Sequence, residues 1–222
     1  MSTPNPSALP ADAEEQKKAE ERIGLIEHFK TVYAIIAGLA ITDAAEYGLP
    51  QSRYDLVQPQ FLMFCTLFVT IIPIFHGVDR SLVIRHGKEG AKTGEERASY
   101  VLDVFMLLIT ALMFVGMART IKLGPTWHFY FWMTITMLFD VFTLQFDLYK
   151  MRRWLNKDPT AELKKAYRGW STCNTLLLLV CLVCYLSATA TTVNFYWASV
   201  IFIAALLRTI FDYRCGGDFM FP

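Results

Sequence analysis

The chain has 222 residues, of which 54% are hydrophobic and 18% charged, and its 21 basic and 20 acidic residues leave a net charge of +1. A soluble domain averages about 25% charged and about 45–50% apolar residues, so both measures shift this chain toward the membrane class. The near-neutral total excludes a globally basic nucleic-acid binder and a globally acidic tail.

Residues 1–11 are rich in Pro and Ser and read as disordered. Residues 12–28 read as a charged helix, with Glu14–Lys18 and Lys17–Glu21 at four-residue spacing. Six apolar runs follow, over 31–49, 59–78, 100–118, 127–146, 172–190 and 193–213. Each approaches the ~20 residues that a helix needs to cross a hydrocarbon core. Pro59 and Pro125 stand at the first turns of the second and fourth runs, where a missing N–H costs little. Ser171 or Thr172 is placed to cap the fifth. The polar break TATTVN predicts a tight antiparallel pairing of the fifth and sixth runs.

The sequence thus predicts an all-α, polytopic integral membrane protein with six transmembrane helices. Residues 1–28 form a tail, 29–213 the membrane domain and 214–222 a second short tail. Seventeen of the 21 basic residues fall in the two termini and in the segments after the second and fourth runs, against three in the alternate loops. The positive-inside rule then puts both termini in the cytoplasm, in a cell or inner membrane. Trp127 and Trp197 at the outer ends, and Trp154 and Trp170 at the inner side, suit membrane interfaces; Trp132, inside the fourth run, is the exception. In the segment 150–170, Asp158 is expected to cap a helix. Leu163, Tyr167 and Trp170 would then lie on the anionic cytoplasmic leaflet, with Lys164, Lys165 and Arg168 at the headgroups.

Function is sought among the polar residues of the spans, because an ionised side chain at the bilayer centre costs about 2.5–3.5 kcal/mol on insertion scales and turns toward the bundle interior or a wet cavity. Asp43, Glu46, Asp79, Asp103, Asp140, Asp147 and Asp212 lie in or at the ends of the runs. In the fourth run Thr136, Asp140, Thr143 and Asp147 recur at spacings of four, three and four, on one helical face. His76, Asp79 and Arg80 end the second run, Asp103 begins the third, and Arg208 and Asp212 are four apart near the end of the sixth. The expected topology brings these to the cytoplasmic half. There they form either a lattice of ion pairs, such as Asp140 with Arg208 and Asp103 with Arg80, or a vestibule or reaction site. Asp43 and Glu46 sit toward the outer end of a first run rich in Ala and Gly, which allows close helix approach. In a homo-oligomer they would form acidic rings that attract cations. Pro73 removes an N–H from the second helix and frees the carbonyl of Val69.

No metal-ligand or nucleotide-binding motif is present, and Cys181-x-x-Cys184 lies mid-span, where apolar burial makes thiols inert. No cofactor and no nucleic-acid partner are expected. The leading reading is a channel or small transporter that moves a cation or proton past Asp43, Glu46, Asp140 and Asp147. The alternatives are a membrane-embedded enzyme using His76 with the inner carboxylates, and a membrane scaffold or effector whose buried charges are structural. The orientation has a direct test. Alkaline phosphatase, which needs an oxidising compartment, is expected to be active when fused after Lys122 and inactive when fused after Lys157; the reverse pattern would invert the topology.

Overall fold

The computed structural model describes residues 11–52, 56, 58–82, 94–123, 125–156, 158–188 and 194–220, with the backbone alone at 11–16, 18–19, 22, 79–80, 123, 194 and 216–220. Six helices make up most of this: α1 (Ala11–Gly48), α2 (Pro59–Leu82), α3 (Gly94–Leu123), α4 (Thr126–Arg153), α5 (Ala161–Ala188) and α6 (Asn194–Met220). All six are long and apolar enough to cross a membrane. The disorder expected for residues 1–11 and the polar break TATTVN fall almost wholly outside the described residues; the described residues 12–28 are helical and continuous with the first span.

The helices overrun the apolar runs. α5 begins at Ala161 rather than near 172, because Thr160 caps it: its Oγ1 accepts the Leu163 N–H at 3.2 Å. Ser171 and Thr172 are therefore interior, and Asp158 is not the cap but pairs with Lys164 at 3.3 Å. α4 likewise runs to Arg153, and Asn156 takes a left-handed backbone (φ 46°) where the chain reverses. These early helical turns point inward. Leu163, Tyr167 and Trp170 do not lie on the surface; they are buried with Ala166 and Met151 in a small core of their own.

Close contacts define a closed ring in the order α1, α3, α4, α5, α6, α2, with a further contact between α2 and α3 across it. Specific pairs fix the directions. Gly48 meets Phe64 and Tyr33 stacks on Phe75, so α1 and α2 are antiparallel. Thr209 reaches Val69 and Tyr213 reaches His76, so α6 runs parallel to α2. The α2–α3 contact leaves α1 outside a five-helix ring made of α2 to α6. Large apolar side chains cover the outside, with Leu39, Val101 and Leu112 each more than 60% exposed. Such a surface suits lipid rather than water.

Two close approaches rest on glycine. The ring of Trp132 lies about 3.0 Å from where a Cβ on Gly116 would stand, which seats α3 against α4 and explains a Trp in mid-span. On α5, a Cβ at Gly169 would meet the Cβ of Cys215 on α6 at 2.7 Å. The Pro73 break is also accommodated: the hydroxyl of Thr209 donates to the freed carbonyl of Val69 at 3.1 Å. Gly169→Val is expected to cost about 1–3 kcal/mol by overpacking and to lower the melting temperature in detergent. Gly38→Val, with nothing within 4 Å of its site, is expected to leave it unchanged.

A buried charge cluster as the candidate functional site

The sequence places Asp140 in α4, Asn174 in α5 and Arg208 in α6, each fourteen residues from the helix end away from the basic segments. At about 1.5 Å per residue all three lie about 21 Å along their helices, hence at one depth. They meet there. The Asn174 amide donates to the Asp140 carboxylate, and its carbonyl accepts from Arg208 Nε at 2.7 Å. Arg208 Nε also lies 2.7 Å from Asp212 Oδ2, one turn along α6, and Nη2 lies 3.6 Å from Asp140 Oδ2. One guanidinium thus stands between two carboxylates, with an amide bridging it to one of them. Arg208 Nη1 and Asp212 Oδ1 are buried with no hydrogen-bond partner among the described residues.

A second set lies farther toward the basic end. The Lys150 side chain is fully buried, and its ammonium contacts Asp103 of α3 and, at 3.2 Å, Asp147 of its own helix. Tyr167 donates to Asp147 at 3.5 Å and shares a 2.7 Å hydrogen bond with Ser81 of α2. The indole N–H of Trp170 reaches the backbone carbonyl of Asp212 at 3.4 Å. These contacts tie α2, α3, α4, α5 and α6 together through polar groups. Between the five helices lies a partly open cavity of about 70 Å³, lined by Asp103, Asp140, Asp147, Arg208, Asp212 and Asn174 and by apolar side chains such as Ile74, Leu107 and Leu144. That is room for a few water molecules and no more.

The remaining expected residues lie elsewhere. His76 is exposed, does not line the cavity, and holds Tyr213 Oη at 2.6 Å through Nδ1. The side chains of Asp79 and Arg80 lie outside the described residues, and Asp103 meets Lys150. Asp43 and Glu46 sit on α1, which contributes nothing to the cavity lining. Glu46 borders a separate surface pocket of about 220 Å³ with Gln51, Gln58 and Gln60. Close by, Lys122 Nζ stands 4.6 Å from the centre of the Tyr47 ring. Among the described residues no group of three His, Cys, Asp or Glu side chains is placed to hold a metal ion. Cys181 and Cys184 are buried free thiols within the apolar core.

Sequence reasoning missed Lys150 and Asn174, and set Tyr167 and Trp170 on the leaflet rather than in the bundle. Lys150 counted as a loop cation, although its three-residue spacing from Asp147 on a continuing helix was a usable signal. Asn174 was legible as an uncharged amide leading into a run of leucines. Compared with protein-family models, curated proteins and solved structures, the chain matches none.

Breaking a buried pair from one side costs about 3–5 kcal/mol, because a charge is left without its partner. Lys150→Ala is expected to show a loss of that size in thermal or denaturant unfolding in detergent. Lys150→Met combined with Asp103→Asn and Asp147→Asn is expected to recover most of it.

Proposed function

We propose that the protein is a multi-pass membrane channel or small transporter that moves a small cation or proton, with Asp140, Arg208 and Asp212 as the station within the bundle. One observation carries this reading: two carboxylates flank one guanidinium beside a water-sized cavity deep among five helices. With both acids ionised that triad holds a net charge of −1, and a buried net charge calls for a neutralising cation. The cavity's volume of about 70 Å³ suits an ion or proton with a few waters.

In this reading Asp147 continues the path toward the basic end, and Asp43 and Glu46 concentrate cations at the other. Both termini then face the cytoplasm, and the basic segments hold the protein against the anionic leaflet. Assembly as a homo-oligomer through the α1 face belongs to the same proposal.

A second reading, a scaffold whose charges only hold the helices together, is favoured by the complete burial of Lys150 between Asp103 and Asp147. The enzyme reading loses its acid–base group, since His76 stands outside the cavity.

Purified protein in liposomes is expected to pass H⁺, Na⁺ or K⁺ down an imposed gradient, and Asp140→Asn to lower that flux at least about tenfold, the effect of ~1.4 kcal/mol on a barrier. Absence of flux of all three ions across a range of pH and voltage would leave the scaffold reading.

A further inference from the structure

We propose that the ion held at this station is a proton, that Asp212 Oδ1 is the atom that takes it, and that Arg208 answers by leaning from Asp212 onto Asp140. The inference deepens the transport reading and rests on it for its consequence, by naming the ion.

The geometry separates a proton from a metal cation. A metal ion needs several oxygen ligands with lone pairs turned toward it. Here Asn174 donates to Asp140 Oδ2, which also faces Arg208 Nη2, Asp212 Oδ2 is ion-paired with Arg208 Nε, and no three His, Cys, Asp or Glu side chains among the described residues converge on one point. A proton needs one carboxylate oxygen without a donor, and a space beside that carboxyl group to arrive from. Asp212 Oδ1 is buried with no donor among the described residues, and Asp212 is one of the residues that line the cavity.

The step balances in charge and atoms. A hydronium ion in the cavity gives its proton to Asp212 Oδ1; an O–H bond forms there, one O–H bond of the hydronium breaks, and water remains. The triad changes from −1 to neutral. Its guanidinium then belongs to Asp140, which already lies 3.6 Å from Nη2, and Asn174 keeps hold of both groups, accepting from Nε and donating to Asp140. Arg208 therefore has a carboxylate partner in either state, as a buried cation requires. Loss of the proton to water reverses the movement.

The groups that face Asp212 are named from each neighbouring element. α4 brings Asp140 and Asp147, and α3 brings Asp103 to the same cavity. From α5 come Tyr167 and Trp170, with Cys173 within electrostatic reach. α2 reaches the neighbouring Tyr213 through His76. On α6 itself stand Arg208 and Tyr213. Asp212 differs from Asp140 in having an oxygen that is both buried and without a hydrogen-bond partner among the described residues.

Two measurements on the full chain in lipid test this. In infrared difference spectra taken as pH is lowered, a protonated-carboxyl band is expected in the wild type and is expected to vanish in Asp212→Asn. It should persist in Asp158→Asn, an exposed acid that does not line the cavity. In liposomes, H⁺ flux is expected without Na⁺ or K⁺ flux, and to fall at least tenfold in Asp212→Asn. A wild type without the band, or a band that survives Asp212→Asn, overturns the proposal whatever the flux. Na⁺ or K⁺ flux without the band overturns it while leaving the transport reading in place. The band with no flux of any ion keeps Asp212 as the proton site and removes the transport reading instead.

Discussion

The burial of charge in an apolar bundle is the constraint on which the rest of this structure depends. A carboxylate or guanidinium among lipid-facing helices has no water to turn to, so its partner must come from another helix. Asp140, Asn174 and Arg208 meet this demand by joining α4, α5 and α6 at one depth, and Lys150 meets it by joining α3 to α4. Apolar packing between helices gives little specificity in lipid, where the surroundings are as apolar as the interface. Directed polar contacts then choose among otherwise similar packings. Thr209 acts in the same way, since the carbonyl freed by Pro73 is satisfied only if α6 lies against α2 in one register.

The ring order follows from these ties together with the close approaches at Gly116 and Gly169. It has a functional consequence. The α2–α3 contact leaves α1 outside the five helices that line the cavity, so the chain separates its acids into two environments. Asp140 and Asp212 sit among fixed donors in a space of a few waters. Asp43 and Glu46 sit on a peripheral helix, Glu46 beside a wider surface pocket. A carboxylate in the first setting is tuned by a guanidinium and an amide within hydrogen-bonding range. One in the second acts mainly through its field.

The inner cluster was legible in part. Asp140 and Arg208 share a depth once the spans are drawn, and their contact follows from it, whereas Asp103 and Asp147 lie farther toward the basic end and meet Lys150 instead. Asp140 both faces Arg208 and lines a cavity, two outcomes that the sequence alone set as alternatives. Lys150 was not legible, because hydropathy ends a span at the first basic residues while the helix itself continues past them. Trp170 and Tyr167 were misplaced for the same reason: an aromatic near a charge cluster suits a membrane interface, but the added helical turns rotate these two inward. His76 failed as a cluster member because helical phase, which a short motif does not fix against the neighbours, turns it out toward Tyr213.

By itself the sequence determined the class, the number of helices and the conflict that the fold must resolve, because hydropathy and charge are properties of each residue and sum along the chain. The charge of +1, near neutral in total, hides acids placed where lipid forbids them. Only the tertiary structure decided which cation answers which acid, that an asparagine stands between them, and that a buried oxygen of Asp212 has no hydrogen-bond partner among the described residues. Those are relations between helices remote in the chain, and pairing between such helices is set by ring order and rotation about each axis.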